Sequence, residues 1–126
     1  MPQIRMRAGG HYSAGSPGQR LIIDNTLPLM LEALDAIDPA SSDTVFAIAD
    51  FGAADGGTSI GMLHGLMAEL RARAPNRPIT LTHTDLPFND FSTLFRRMHG
   101  LLPNREHEGL QDFRSVFSFA SGASFY

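Results

Sequence analysis

Two kinds of apolar pattern follow one another along the chain. Continuous apolar runs predict strands, and apolar residues at every third or fourth position predict helices. Residues 45–49 form an uninterrupted apolar run that ends at Asp50. Such a run predicts a strand buried on both faces of a parallel sheet. From Ile60 to Leu70 the apolar residues recur every three or four positions, which predicts an amphipathic helix that ends before Pro75.

The second half of the chain repeats this alternation. Residues 79–84 predict another strand, which again ends on an acid, Asp85. A helix is expected to begin near Phe91, capped by Asn89 or Asp90, and residues 116–119 predict a third strand. Strands that alternate with helices are typical of an α/β fold with a parallel sheet.

The first part of the chain has a different character. Residues 1–18 are rich in glycine and serine, which predicts a lead-in loop or a lid. From Gln19 onward the apolar residues fall near helical spacing, with Asn25 and Thr26 as candidate caps. Two short helices, or one helix kinked at Pro28, are equally consistent with this pattern.

Composition narrows the class of protein. The 126 residues suffice for one domain with one core, so we treat 1–126 as one unit with a partial core over 19–126. A net charge of -3 argues against nucleic acid as a partner. All ten basic residues are arginine and cysteine is absent, which excludes lysine and thiolate chemistry. With no apolar run of membrane-spanning length, we expect a soluble cytoplasmic protein.

The turn after the first predicted strand is the first candidate for chemistry. Ligands of open α/β sheets bind beyond the carboxyl ends of the strands, where Asp50, Gly52 and Asp85 fall. The turn is neither G-x-G-x-x-G nor a Walker loop, and an acid before its first glycine suits a cationic ligand better than a pyrophosphate. Asp85 would suit a ribose diol. The plainer alternatives are a glycine-permitted turn, a capping acid at Asp50 and a turn-initiating Asp85.

Other residue types give no catalytic or metal-binding pattern. The five histidines lack the spacing of metal ligands, so we expect surface or core roles and no metal site. Ser41, Ser42 and Ser115 have neither a partner pattern of histidine and aspartate nor a G-x-S-x-G elbow, so serine hydrolase chemistry is not expected. Five phenylalanines in the second half of the chain are expected in the core: Phe91, Phe95, Phe113, Phe117 and Phe119.

Five sequence motifs, taken in order along the chain, give a more specific indication of the protein family. They are M-R-A-G-G at residues 6–10, Y-S-A-G-S-P-G-Q at 12–19, I-A-D-F-G at 48–52, D-L-P-F-N-D-F at 85–91 and G-A-S-F-Y at 122–126. In order and spacing the chain resembles the SABATH family of S-adenosylmethionine-dependent carboxyl methyltransferases, which includes salicylate, jasmonate and benzoate enzymes. The D-L-P-F-N-D-F block is the most diagnostic motif.

The resemblance implies a Rossmann-like class I methyltransferase fold, S-adenosyl-L-methionine as cofactor and a small-molecule carboxylic acid as methyl acceptor. Gln19 matches the glutamine that binds the acceptor carboxylate, and no catalytic acid or base is implied because a carboxylate is already a nucleophile. Members of the family are often homodimers. The implied cofactor contacts are Tyr12, Ser16, Asp50, Gly52, Thr58, Asp85, Leu86, Ser124 and Phe125.

This sequence also departs from the family pattern. Ala53, Ala54 and Asp55 replace its C-S-x run, Gly57 replaces a proline, and Phe88 stands where glycine is common. The helical cap and the remaining strands of the family are missing, so we expect an N-terminal portion or a truncated homologue that is inactive by itself. The alternatives are a non-catalytic nucleotide-binding or dimerisation module and, less favoured, a nicotinamide oxidoreductase.

Overall fold

The computed structural model describes residues 17–124, which form a parallel sheet with helices. The α-helices are α1 (Pro17–Asp24), α2 (Leu27–Ile37), α3 (Ile60–Arg73) and α4 (Phe91–Met98), and the strands are β1 (Phe46–Phe51), β2 (Ile79–Asp85) and β3 (Val116–Gly122). Short 3-10 turns span Pro39–Ser41 and Glu106–Glu108. The alternation of strands and helices confirms the predicted α/β class.

Two separate helices, rather than one kinked helix, open the described part of the chain. Helix α1 begins at Pro17, so the predicted loop over residues 1–18 is wrong at its last two positions. Proline suits a first helical turn because its missing N–H has no intrahelical acceptor there. Thr26 occupies the N-cap of α2, but its hydroxyl donates to the Ile23 carbonyl of α1 at 2.6 Å instead of capping α2. Pro28 lies in the first turn of α2, where it is tolerated.

The sheet has the order β1-β2-β3, and both pairs of strands are parallel. Sequential order follows from the two helical connections, because each crossover places the next strand beside the previous one. Parallel pairing brings all three carboxyl ends to one edge of the sheet. We call this edge, formed by Phe51, Asp85 and Gly122 and the loops that follow them, the carboxyl edge.

Only one face of the sheet is buried by the described residues. The buried residues of β2, Ile79 and Leu81, join one hydrophobic cluster with those of α3 and α4. Along β1 half-buried and exposed residues alternate, so the predicted burial of this strand on both faces is wrong. The opposite face carries Phe51, 74% exposed, and Phe117 and Phe119, each 52% exposed.

This exposed face also corrects the expectation that Phe117 and Phe119 are core residues. Their side chains point away from the single cluster because alternate residues of a strand face opposite sides of the sheet. Parallel sheets are normally covered on both faces, and within residues 17–124 only one of them is covered.

Two arginines fasten the opposite end of the sheet. The Arg71 guanidinium at the end of α3 donates to the carbonyl oxygens of Ala74, Arg77 and Arg114, at 3.0, 2.7 and 2.8 Å. Arg77 in turn donates to the Thr44 carbonyl at 2.6 Å, before β1 begins. These bonds hold the amino-terminal ends of the strands together at the end of the sheet opposite the carboxyl edge.

None of the helices among residues 17–124 is both long enough and apolar enough to cross a membrane.

Candidate functional site

The turn after β1 is fastened to the end of β2. Phe51 lies beside Thr84 in the parallel register, and the Thr84 carbonyl accepts hydrogen bonds from the N–H groups of Gly52 and Ala53, at 2.9 and 3.0 Å. The chain therefore leaves β1 toward β2. This arrangement places the turn at the carboxyl edge, where the sequence predicted a ligand site.

Three residues of this turn adopt left-handed backbone conformations. Their φ angles are 78° at Gly52, 50° at Ala54 and 82° at Gly56. Glycine adopts positive φ without a steric penalty, which explains two of the three. At Gly56 packing adds a second requirement, because a Cβ atom would lie 2.8 Å from the Met98 methyl group of α4. We call residues 52–58 the cofactor turn, after the role that the resemblance implies for it.

The Asp85 carboxylate lies under the cofactor turn and is almost fully buried. One of its oxygens, Oδ2, accepts the Ala54 N–H at 2.7 Å, and the other, Oδ1, accepts the Leu86 N–H at 2.7 Å. The residue that the sequence assigned to the ribose thus also ties the turn to β2. Each carboxylate oxygen has two lone pairs, so each could still accept one further hydrogen bond.

Asp50 is the penultimate residue of β1 and not the residue after the strand. Its carboxylate lies on the buried side of the sheet, and burial raises its pKa. A hydrogen bond with the Ser59 side chain partly offsets this effect, and the negative charge of Asp85 adds to it. The Oδ2 atom of Asp50 is buried and has no hydrogen-bond partner within the described part of the chain. An unpaired buried carboxylate oxygen is costly, and a cationic or hydrogen-bonding ligand would compensate for that cost.

The remaining predicted cofactor residues within 17–124 lie around the same edge. Leu86 follows Asp85 and is half-buried. After β3, the Ala123 N–H donates to the Asp85 carbonyl at 3.0 Å, and the next residue, Ser124, is exposed. Thr58, at the end of the cofactor turn, is buried immediately before α3. The fold therefore brings Asp50, Gly52, Thr58, Asp85, Leu86 and Ser124 to one edge of the sheet.

The other predicted residues are not placed by the structure. Tyr12, Ser16 and Phe125 lie outside the described residues. Gln19 belongs to α1, but its side chain is outside what the structure describes. Their assignments remain predictions from the motifs.

Sequence reasoning missed two residues that hold the cofactor turn, and the left-handed conformation within it. Asn89 donates to the Ala54 carbonyl at 2.6 Å, and the buried Arg97 of α4 donates to the Asp55 carbonyl at 3.1 Å. Arg97 also pairs with the half-buried Glu108 at 3.3 Å. Asn89 stands inside the D-L-P-F-N-D-F block, so that motif was a usable clue. Nothing in the sequence marks Arg97 or the left-handed Ala54.

One histidine is buried beneath the same edge. His83 lies beside Asp50 in the register of β1 and β2 and is fully buried. Neither ring nitrogen has a hydrogen-bond partner in the described chain. Burial, with a smaller repulsion from His99, lowers the pKa of His83 to about 4. The ring is therefore neutral at physiological pH.

A separate cavity of about 240 Å³ lies beside α3, lined by Ile60, Gly61, His64, His107 and Glu108. It contains none of the predicted cofactor residues, so we do not assign the cofactor to it. Across residues 17–124 no cluster of histidine and acidic side chains could hold a metal ion.

Comparison with known proteins identifies the family of the chain. Residues 3–126 match the family model described as SAM-dependent carboxyl methyltransferase. An indole-3-acetate O-methyltransferase 1 from Oryza sativa subsp. japonica is 32% identical over 99 residues, which are 74% of this chain and 24% of the relative. The O-methyltransferase acrG of Aspergillus aculeatus is 36% identical over 96 residues, 72% of this chain and 25% of that protein. A methyltransferase of Gibberella moniliformis is 30% identical over 106 residues, 81% and 28% of the two chains.

A solved structure shows the same fold. A loganic acid methyltransferase, solved with SAH, superposes with a TM-score of 0.71 at 24% identity over 98% of this chain and 35% of its own. This chain spans about a quarter of the length of the curated relatives above. Because the family model matches residues 3–126, which is nearly the whole chain, the chain belongs to the SAM-dependent carboxyl methyltransferase family.

Proposed function

We propose that this chain supplies the S-adenosylmethionine half-site of an enzyme that methylates the carboxylate of a small molecule. The observation that carries the proposal is the pair of acids at adjacent strand ends. One oxygen of Asp50 is buried without a partner in the described chain, and Asp85 lies beneath the turn that leads from β1 to α3. The matched relatives are methyltransferases, which supports the same reaction class.

The residues at the carboxyl edge fit this cofactor chemically. Asp50 offers an acceptor to a cationic group, and the attraction is strong because the carboxylate is largely removed from water. Asp85 offers one remaining lone pair on each oxygen, which suits the two hydroxyls of a ribose. The exposed Gly52 leaves room for a ligand to approach the backbone closely.

When bound at this edge, S-adenosylmethionine would supply an electrophilic methyl group on a positively charged sulfur, and the electron pair of the broken C–S bond would remain on that sulfur. The transfer moves no proton and neutralises opposite charges, so catalysis depends on positioning. We assign that positioning to the Gln19 amide, which would hold the acceptor carboxylate, and to the edge residues that hold the cofactor. The contacts of Tyr12, Ser16 and Phe125 belong to the same proposal.

Asp50→Asn tests the assignment of the unpaired oxygen. The variant removes the charge but keeps the shape of the side chain. We expect it to bind S-adenosylhomocysteine, which retains the cationic ammonium group, about tenfold more weakly, the lower end of what a charge-assisted hydrogen bond contributes. Isothermal titration calorimetry on the 126-residue chain measures the change.

Asp43→Asn is the matched control, because Asp43 is exposed in the loop before β1. It should bind S-adenosylhomocysteine like the parent. Equal affinity of the parent and Asp50→Asn would show that Asp50 does not contact the cofactor.

A further inference from the structure

The backbone N–H and C=O of Ala54 are held by the last residue of β2 and by the segment that follows it. Its N–H donates to Asp85 Oδ2 at 2.7 Å, and its carbonyl accepts from the Asn89 side-chain amide at 2.6 Å. Ala54 is 2% exposed and has a φ of 50°. Water therefore cannot replace either hydrogen bond, and each is needed to avoid an unpaired buried polar group.

A left-handed alanine needs such support. Its Cβ crowds the following carbonyl oxygen, so residues other than glycine rarely keep this conformation unless their surroundings impose it. Here the surroundings act from both sides of the peptide. Arg97 adds a third bond, to the next carbonyl along the turn, that of Asp55.

Asn89 is itself held in place. Its N–H donates to the Leu86 carbonyl at 2.9 Å, and the next residue, Asp90, caps α4 by accepting the Thr93 N–H at 3.1 Å. The side-chain amide donates into the protein and not toward the open edge. Asn89 is thus positioned to shape the turn and not to contact a ligand through that amide group.

We propose that Asn89 is a positioning residue for the cofactor turn: together with Asp85 it fixes Ala54 in the left-handed conformation and so sets the direction of the backbone groups between Gly52 and Thr58. The proposal rests on the proposed function, since it assigns the turn to S-adenosylmethionine. The D-L-P-F-N-D-F segment would then serve the cofactor in two ways, through contacts and through the shape of the neighbouring turn.

The test combines Asn89→Ala with Ala54→Gly. In Asn89→Ala the turn opens more often, so the hydrogen-exchange protection of the Ala54 amide should fall about tenfold, which corresponds to 1.4 kcal/mol. The affinity for S-adenosylhomocysteine should also fall, because without Asn89 the backbone groups of the closed turn no longer keep the direction that the ligand requires. Asn76→Ala, in the exposed loop before β2, is the control and should change neither quantity.

Ala54→Gly separates positioning from simple capping of a carbonyl. Glycine accepts positive φ without support, so adding Ala54→Gly to Asn89→Ala should recover most of the lost protection at the amide of residue 54 and most of the lost affinity. Absence of any recovery would overturn the proposal, as would unchanged protection or unchanged affinity in Asn89→Ala.

The proposal can still be tested if Asn89→Ala does not fold or if the parent chain does not bind the ligand. If Asn89→Ala does not fold, Ala54→Gly in the parent decides: a higher thermal midpoint supports strain at Ala54, and a lower one overturns the proposal. If the parent does not bind S-adenosylhomocysteine, the proposed function fails. The exchange measurements then still show whether Asn89 holds the turn.

Discussion

Asp85→Ala is expected to lower the free energy of unfolding by about 3 kcal/mol, because it leaves two backbone N–H groups without acceptors. The two groups belong to Ala54 and Leu86, and each is 2.7 Å from a carboxylate oxygen. The Ala54 group is buried, and the Leu86 group is partly buried, so water replaces the lost bonds poorly. Urea denaturation of the two proteins measures the difference.

Asp112→Ala is the matched control, since Asp112 is an exposed aspartate between α4 and β3. Its effect should stay within about 0.5 kcal/mol, as for most surface substitutions. Asp85→Asn should fall between the two variants because the amide keeps one acceptor oxygen. A loss below about 1 kcal/mol in Asp85→Ala would contradict the double hydrogen bond.

The structural role of Asp85 means that its ribose contact is better tested on the ligand. A 2′-deoxy analogue of S-adenosylhomocysteine leaves the protein unchanged. It lacks one of the two hydroxyls from which the carboxylate would accept a hydrogen bond. We expect it to bind about tenfold more weakly, as for the loss of one hydrogen bond to a charged group. Equal binding of the two ligands would exclude that contact.

The stability of the chain is expected to fall as the pH decreases from 6.5 to 4, because of His83. Burial lowers the folded-state pKa of this ring from 6.5 to about 4. Above pH 6.5 the ring is neutral in both states and the full stability is present. Below that pH the unfolded chain binds a proton that the folded chain rejects, and by pH 4 the accumulated loss reaches about 3 kcal/mol.

His83→Phe isolates this contribution, since phenylalanine fills a similar volume and does not titrate. The difference in unfolding free energy between the parent and the variant should change with pH over this interval, whereas exposed His107→Gln should follow the parent. Asp50 acts in the opposite direction because burial raises its pKa, but its effect is common to the proteins compared. A pH-independent difference between parent and His83→Phe would contradict the account.

The sequence was sufficient for the order of elements and for placing two acids at one edge of the sheet. Apolar runs that end on Asp50 and Asp85, each followed by turn residues, predicted parallel strands with acids at one edge, and the structure confirms this order. Periodicity also predicted the helix that became α3. These features depend on local patterns, which a single sequence displays directly.

What the sequence could not show depends on packing between distant segments. The run at residues 45–49 predicts burial on both faces, but burial of the second face depends on what covers it. The left-handed Ala54 is stabilised by Asp85 and Asn89, which lie 31 and 35 residues away along the chain. The backbone propensity of alanine does not predict a left-handed conformation. Sequence patterns predicted Asp85 only as a ligand contact, whereas its hydrogen bond to Ala54 shows that it also stabilises the turn.

The central claim is that the carboxyl edge of this sheet binds S-adenosylmethionine. Titration of the ¹⁵N-labelled 126-residue chain with S-adenosylhomocysteine, followed by two-dimensional NMR, tests it most directly. We expect saturable shifts of the amides of Gly52, Gly56 and Leu86, with little change at Arg71 and Arg77 on the opposite end of the sheet. Shifts at these edge amides with NADH but not with S-adenosylhomocysteine, or no saturable shift at the edge, would contradict the claim.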